Sequence, residues 1–131
     1  MTPAIELYLL AVAVVIGLVQ LAWAAVAARR QQDLKWATGP RDEPMPITGV
    51  AARLDRSFRN FMETFPLHAA AVIVAYLSAR LGDLTVIGSV LYVAARALHP
   101  VLYALGVSYL RTLAWLAGFV GTLLVLAAIF L

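Results

Sequence analysis

Four polar side chains recur in one stretch of the sequence at spacings of three, four and three residues: Arg53, Arg56, Asn60 and Glu63. Residues three and four positions apart share one face of an α-helix, so these side chains form a stripe, with Arg59 at its edge. Guanidinium groups bind carboxylates through two hydrogen bonds, a carboxylate accepts an ammonium group, and a carboxamide does either. The stripe therefore predicts a binding site for a small zwitterion or polyanion.

The same arginines also fit a second interpretation, in which they only reach the phosphates of anionic lipids. Long basic side chains near the end of a membrane helix extend to the headgroups, and Glu63 would then pair with Arg59. The arginines alone favour neither interpretation. Asn60 and Glu63 favour the binding site, because a headgroup patch has no use for an amide or a carboxylate.

A second stripe lies further along the chain, at spacings of four, three and four: Tyr92, Arg96, His99 and Tyr103. Ionisable groups at membrane depth are costly, so they face protein or water and usually mark function. Arg96 lies well inside an apolar segment and needs an anion, for which Glu63 on the adjacent helix is the expected partner. His99 alone suits an interhelical hydrogen bond better than catalysis, and Tyr103 also fits an aromatic residue at the membrane interface.

Arg111 lies in the first turn of the last apolar segment, where Ser108 is a candidate N-cap. The positive end of the helix dipole and the guanidinium group would both favour an anion at this position. The alternative is an arginine that only reaches lipid headgroups.

The sequence lacks the residues for several other chemistries. It contains no cysteine, so disulfides, zinc–thiolate sites and cysteine nucleophiles are excluded, and any thiol must arrive with a substrate. Its histidines, His68 and His99, fall on different helices without a nearby second carboxylate, so no metal site is predicted. No catalytic-triad spacing and no glycine-rich phosphate loop occur. Nucleophilic catalysis by a protein side chain is therefore not expected.

The composition places these residues in a membrane protein. Of 131 residues, 63% are hydrophobic and 13% are charged, and the mean hydropathy is +0.89. A soluble domain is about half apolar and a quarter charged, so the excess apolar surface needs lipid to face. The basic residues bracket the apolar segments instead of forming a soluble face, which excludes nucleic acid as a partner despite the net charge of +3. The length fits a single domain, 1–131.

Four segments are long and apolar enough, or nearly so, to cross a membrane as helices of about 20 residues. Their approximate bounds are 5–28, 51–81, 84–105 and 111–131. The polar connection 29–48 contains helix-breaking glycine and prolines, whereas the other two links are short. Short links make successive helices antiparallel neighbours, so the predicted fold is an all-α, up-down-up-down, four-helix transmembrane bundle.

The positive charges predict the orientation of this bundle, because lysine and arginine accumulate at cytoplasmic helix ends. Most of them lie in the first link or at the start of the second helix: Arg29, Arg30, Lys35, Arg41, Arg53, Arg56 and Arg59. Arg111 falls on the same side, and Arg80 lies near the opposite one. Both termini are therefore predicted to be extracytoplasmic, with the first and third links cytoplasmic, in a bacterial inner membrane.

The segment 53–66 resembles the signature of the MAPEG family, the membrane-associated proteins of eicosanoid and glutathione metabolism. The family pattern is Glu-Arg-x-x-Arg-x-x-x-Asn-x-x-Glu, and this chain matches it at Arg53, Arg56, Asn60 and Glu63. Ala52 stands in place of the leading glutamate. Residue types of the family's third helix recur at Arg96, His99 and Tyr103, and the family's thiolate-stabilising arginine falls close to Arg111.

The resemblance implies a homotrimer that binds glutathione between helices of neighbouring subunits and takes a lipophilic substrate from the bilayer. The glutathione-binding residues that it implies are Arg53, Arg56, Arg59, Asn60, Glu63, Arg96, His99 and Tyr103. Arg111 would be the catalytic arginine. A free thiol with a pKa of about 8.5 is only a few per cent ionised at pH 7, so a permanent cation beside it favours the reactive thiolate.

Two other functions fit parts of the same sequence. The first is a non-catalytic relative that binds a lipid or a partner protein, which the missing glutamate at Ala52 favours slightly. The second is a small four-helix exporter in which a buried glutamate couples proton uptake to drug efflux. Such an exporter needs an unneutralised carboxylate, whereas arginines surround Glu63 in the sequence. The sequence therefore favours a glutathione-dependent transferase or peroxidase over both.

Overall fold

The computed structural model describes residues 3–131, and all regular secondary structure within them is α-helical. The helices are α1 (Ile5–Arg29), α2 (Leu34–Thr38), α3 (Gly49–Leu77), α4 (Asp83–Ala104) and α5 (Ser108–Phe130). The all-α fold class is thereby confirmed. Four of these helices have 22 residues or more, and α2 is a five-residue helix in the first link that the sequence did not predict.

α3 departs most from the bounds expected from the sequence. It begins at Gly49 and ends at Leu77, well before the expected end at 81. Ser78 already leaves the helical conformation, and Ala79 adopts a left-handed backbone conformation with φ of 57°. Residues 78–82 therefore form the turn into α4 and do not prolong α3.

Contacts at the two ends make successive long helices antiparallel. At one end a buried cluster joins residues from the C-terminal parts of α3 and α5 with residues from the start of α1: Ala71, Val72, Ala75, Val125, Ile129, Leu7 and Leu10. At the other end the start of α3 contacts the end of α4, where Arg53 Nε donates a 3.2 Å hydrogen bond to the carbonyl oxygen of Ala104.

Glycines bring the helix backbones together in the middle of the structure, as small residues do in membrane bundles. A Cβ atom added to Gly121 in α5 would lie 2.6 Å from the carbonyl oxygen of Gly88 in α4. One added to Gly17 in α1 would lie 2.6 Å from the Phe61 ring in α3. A side chain at Gly121 would therefore push α5 from α4, and one at Gly17 would displace the Phe61 ring.

α1, α4 and α5 are long and apolar enough to cross a membrane, judged by length and composition. Their outward faces carry large apolar side chains such as Leu18, which is 60% exposed, and Phe119, which is 50% exposed. Apolar faces of this extent are compatible with lipid and not with water. By the same measure α3 does not qualify, because its first half carries several charges. The three apolar helices support an integral membrane protein.

The link between α1 and α3 is folded back on itself by side-chain hydrogen bonds. The Gln31 side chain donates to the Thr48 carbonyl at 2.9 Å and accepts from the Thr48 amide at 2.8 Å. The Gln32 amide donates to the Met45 carbonyl at 2.6 Å. These bonds close residues 31–48 into a loop and hold α2 beside the ends of α1 and α3.

Candidate functional site

Arg96 is the most deeply buried charged side chain in residues 3–131, with 1% of its surface exposed. α4 places it against α3, where Nη1 donates a 2.9 Å hydrogen bond to Asn60 Oδ1 and the guanidinium carbon lies 5.8 Å from the centre of the Phe61 ring. Nε and Nη2 are buried and have no hydrogen-bond partner among the described residues. A buried cation with free N–H groups is a site for an anion, because leaving it unpaired is destabilising.

The expectation that Glu63 neutralises Arg96 was wrong. Asn60 lies level with Arg96 and takes the hydrogen bond, whereas Glu63, three residues further along α3, is exposed. The amide is neutral, so it leaves the charge of Arg96 uncompensated. Within residues 3–131 the ion pair lies elsewhere, between Arg59 and Asp55 at 3.2 Å.

A cavity of about 230 Å³ opens where α3, the end of α4 and the start of α5 meet. Its lining consists of polar and aromatic side chains: Asn60, His99, Tyr103, Arg111, Thr112 and Trp115. We call it the polar cavity. The structure thus brings Arg111 together with residues from both predicted stripes, and Asn60 connects the cavity to Arg96.

Two arginines converge on the ring of Tyr103: Arg111, which lines the cavity, and Arg56, which lies outside its lining. The guanidinium carbon of Arg111 lies 4.4 Å from the ring centre, and that of Arg56 lies 6.0 Å from it. The ring of His99 meets it edge-on, with centroids 5.6 Å apart. Cations over an aromatic face are attracted by its quadrupole, so Tyr103 positions Arg111 at the cavity wall.

His99 is 2% exposed and belongs to a polar chain that reaches α1. Its Nδ1 lies 3.4 Å from Ser57 Oγ, and that hydroxyl donates to Gln20 Oε1, also at 3.4 Å. When the hydroxyl donates to Gln20, Nδ1 carries the proton and Nε2 is an acceptor. The sequence analysis missed Gln20 and Ser57, although Gln20 interrupts an otherwise apolar helix and that interruption is the available signal.

Two residues of the α3 stripe lie at the edge of this arrangement. Arg53 is half-buried and uses Nε to hold the last carbonyl of α4 at Ala104, a position that favours a cation. Glu63 is exposed on the outside of α3. Their assignment to glutathione stays a prediction.

Arg59 lies on a different face of α3 from the stripe. Its side chain is 74% exposed, it pairs with Asp55, and both residues face the link and α1. The alternative expectation that Arg59 pairs with Glu63 was therefore wrong. The assignment of Arg59 to glutathione stays a prediction. The residues around Arg59 do not line the polar cavity.

A second, smaller cavity of about 80 Å³ lies next to the polar one between α3, α4 and α5. It is mostly apolar and is lined by Thr64, Leu67, Tyr92, Arg96, Trp115, Gly118, Phe119, Thr122 and Leu123. We call it the apolar cavity. Trp115 lines both cavities, so they are immediate neighbours. Two of its lining residues, Leu67 and Phe119, are 69% and 50% exposed on the apolar outer surface, so the cavity opens between them.

Tyr92 of the second stripe belongs to a polar cluster at the wall of the apolar cavity, and the sequence analysis missed the partners of Tyr92 in that cluster. His68 Nδ1 lies 2.9 Å from Thr122 Oγ1, and its ring stacks on Tyr92 with centroids 3.8 Å apart. The Tyr92 hydroxyl lies 3.0 Å from Thr64 Oγ1. These bonds fix the ring of Tyr92 beside Arg96.

In residues 3–131 no group of three or more histidine, cysteine or acidic residues is placed to hold a metal ion.

Ser108 is not the N-cap of the last helix, contrary to expectation. Val107 occupies that position without a side-chain cap, and Ser108 is the first helical residue. The Ser108 carbonyl accepts a 3.1 Å hydrogen bond from Thr112 Oγ1. Arg111 therefore remains at the end of the first turn of α5, where the helix dipole favours an anion.

Comparison with protein families gives a match that covers nearly the whole chain. The model of the MAPEG family matches residues 8–131. No curated protein and no solved structure matches the chain significantly.

Proposed function

Because this chain belongs to the MAPEG family, we propose that it is a membrane-bound enzyme that uses glutathione against lipophilic electrophiles, by transfer or by peroxide reduction. The polar cavity carries the proposal, since it combines Arg111, His99 and Tyr103 with Asn60, the partner of buried Arg96. This set offers cations and hydrogen-bond donors in a partly desolvated site, where a thiolate and a carboxylate are both stabilised.

The separation of the cations suits the length of glutathione. Arg96 and Tyr103 are seven residues apart on α4, which is a rise of about 10 Å along the helix. The thiol lies on the central residue of glutathione, and the γ-linked glutamate makes the arm from the sulfur to the glutamyl carboxylate longer than an α-linked residue would. We therefore place the thiol beside Arg111, which packs on Tyr103, and the carboxylate of that arm at the free N–H groups of Arg96.

The remaining residues of the α3 stripe supply contacts for the other charged ends of the peptide. Arg56 extends toward Tyr103 and can hold a second carboxylate, and exposed Glu63 can accept the ammonium group. Ala52 removes one polar contact of the family pattern. Arg53 is hydrogen-bonded to the end of α4 and thereby sets the position of the stripe relative to Tyr103.

Arg111 would activate the thiol by stabilising its ionised form. Lowering a thiol pKa by about two pH units requires about 2.7 kcal/mol of preferential stabilisation of the thiolate, which one partly desolvated guanidinium can supply. In transfer, the thiolate sulfur bonds to the electrophilic carbon and the leaving group departs with the electron pair. In peroxide reduction, the sulfur takes one oxygen and releases an alcohol, and a second glutathione then gives the disulfide and water.

The apolar cavity offers a place for the lipophilic substrate. It adjoins the polar cavity at Trp115, and its mouth between Leu67 and Phe119 lies on the surface that faces lipid. A molecule dissolved in the bilayer would reach the thiolate through this mouth without crossing water.

We place α3 as a fourth membrane span, with both termini extracytoplasmic in a bacterial inner membrane.

A homotrimer would complete the site. Arg56 and Glu63 are exposed in one chain although their stripe points to binding, and a neighbouring subunit packed on this face of α3 would enclose them. Enclosure lowers the local dielectric constant and strengthens each charged contact with glutathione. The α3 stripe would then hold glutathione between subunits.

The experiment is a calorimetric titration of the detergent-purified protein with glutathione, combined with the ultraviolet absorbance of the thiolate. Arg111→Ala is compared with Arg30→Ala, which removes an exposed charge that lies outside both cavities. We expect saturable binding in all three proteins, with the thiolate absorbance lost in Arg111→Ala alone.

Two results would contradict the proposal in different ways. An unchanged thiolate signal in Arg111→Ala would remove this arginine from its catalytic role. The absence of glutathione binding to a folded wild-type protein would favour the second candidate, a non-catalytic lipid- or partner-binding member, which the loss of the family glutamate at Ala52 supports.

A further inference from the structure

A third cavity, of about 440 Å³, lies between the end of α1, the link and the first turns of α3. Its lining combines apolar residues with three arginines and one acid: Leu21, Ala24, Ala25, Ala28, Arg29, Gln32, Trp36, Ala37, Arg41, Ile47, Asp55, Phe58 and Arg59. We call it the linker cavity. It shares no lining residue with the polar or the apolar cavity.

Two of the three arginines are held in place by backbone carbonyls. Arg41 donates from Nε and Nη2 to the Ala37 carbonyl at 3.0 and 2.8 Å, and it lies 5.3 Å from the centre of the Trp36 ring. Arg29 donates from Nη1 to the Gln32 carbonyl at 3.0 Å. A guanidinium has five N–H groups, so donors remain on both side chains, and their rotamers are already restricted before a ligand binds.

The charge of this lining favours an anion. Three guanidinium groups face one carboxylate, that of Asp55, which already pairs with Arg59 at 3.2 Å. The formal charge of the lining is therefore three minus one, or +2. Phosphate is the common anion whose geometry suits several arginines at once.

The apolar part of the same cavity distinguishes a lipid from a soluble anion. Small residues of α1, Ala24, Ala25 and Ala28, line one side of the cavity beside Leu21, and we call this side the alanine groove. Leu18, which precedes Leu21 on α1, is 60% exposed. Arg29 ends the helix directly after this apolar run. The cavity therefore lies where the hydrocarbon of a bilayer gives way to its headgroups, with space for a chain below and cations above.

We propose that the linker cavity binds an anionic phospholipid, whose phosphate contacts Arg29, Arg41 and Arg59 and whose acyl chain follows the alanine groove of α1. Asp55 competes with the phosphate for Arg59, so it sets the strength of binding. The proposal assigns Arg59 to lipid, where the family resemblance assigns it to glutathione. The proposal depends neither on glutathione binding nor on turnover.

The test is native mass spectrometry of the full-length protein released from nanodiscs that contain equal amounts of phosphatidylglycerol and phosphatidylcholine with identical acyl chains. We expect the wild type to retain phosphatidylglycerol preferentially. Arg41→Gln and Arg59→Gln should each reduce that preference about fivefold, the effect of one basic residue at an anionic membrane surface. Lys35→Gln, an equal loss of charge in the same link outside the cavity, should leave it unchanged.

Asp55→Asn is expected to change the lipid preference in the opposite direction, which a loss of folding would not do. Removing the competing carboxylate should raise the preference for phosphatidylglycerol, because Arg59 is then free for the phosphate. Equal retention of the two lipids by the wild type would overturn the proposal, and so would an equal loss in Lys35→Gln. Displacement of phosphatidylglycerol by soluble glycerol phosphate would also overturn it, since the site would then recognise phosphate without lipid.

Discussion

Two faces of α3 each carry or contact an arginine, and the two arginines differ in how their charge is balanced. On the face toward α4, Arg96 of α4 is 1% exposed and its partner, Asn60, is neutral. On the face toward α1, Arg59 has a 74% exposed side chain and pairs with Asp55 at 3.2 Å. Water and a weak ion pair satisfy the exposed arginine, whereas the buried one is unfavourable until an anion binds. Burial, and not the number of arginines, therefore distinguishes the two proposed sites.

The largest expected effect on stability and on glutathione affinity is that of Arg96→Met. A buried, unpaired cation opposes folding, and replacing it with an apolar side chain of similar length is expected to stabilise the protein by about 1–4 kcal/mol. The same change removes the free N–H groups, so glutathione binding should weaken at least about thirtyfold. Thermal unfolding followed by circular dichroism in detergent and calorimetric titration measure the two quantities.

Arg59→Met is the matched control, because it makes the same substitution on the exposed face of α3. It should change neither the unfolding temperature nor glutathione affinity appreciably. If Arg96→Met lowered the unfolding temperature instead, the buried arginine would be a structural residue, and the contrast between the two faces would no longer identify a ligand site.

Arg111→Ala comes next, and its effect should fall on the chemical step. Removing a group that stabilises developing or full negative charge in an active site reduces turnover about 100- to 1,000-fold. Because other residues hold the charged ends of glutathione, the dissociation constant should change much less. Steady-state kinetics with an aryl halide test this, and Arg111→Lys, which keeps the charge, should recover part of the lost kcat.

A fall in affinity as large as the fall in kcat would assign Arg111 to binding. That result would give Arg111 the same role as Arg96, which is to hold an anionic group of the ligand.

The α3 stripe shows what spacing along one helix can predict. Arg53, Arg56 and Asn60 lie on a common face because three- and four-residue spacing is a property of the helix itself. The partner of Arg96 could not be predicted in this way, because it depends on how far α4 is shifted along α3. That shift places Asn60 level with Arg96 and leaves Glu63 exposed. No pattern within either helix specifies the shift.

The contacts that join three elements were also beyond prediction. The chain Gln20–Ser57–His99 needs α1, α3 and α4 in place at once, and its members are far apart in sequence. The fold of the link was likewise not predicted, because α2 has only five residues and its stability comes from tertiary bonds such as that of Gln32 to Met45.

Substitutions of Tyr103 test whether the position of Arg111 in the polar cavity matters in addition to its charge. Tyr103→Leu removes the ring against which Arg111 packs at 4.4 Å, whereas Tyr103→Phe keeps it. A cation–π contact contributes about 0.5–2 kcal/mol, so Tyr103→Leu should lower kcat/KM roughly 2- to 30-fold. Tyr103→Phe should stay close to wild type if the ring positions Arg111, and equal losses in both variants would show that the hydroxyl acts directly.

The smallest expected effect is on the exposed face, and it is the most direct test of the comparison. The Arg59–Asp55 pair joins residues four apart on a helix surface, where such pairs contribute about 0.3–0.5 kcal/mol and weaken in salt. A double-mutant cycle with Arg59→Ala and Asp55→Ala, measured by thermal unfolding at low and high salt, should therefore give a small coupling that falls further as salt rises. A coupling above about 1.5 kcal/mol that does not respond to salt would mean that the pair is shielded from water. A covering subunit would provide that shielding, and the face toward α1 would then be as enclosed as the face toward α4.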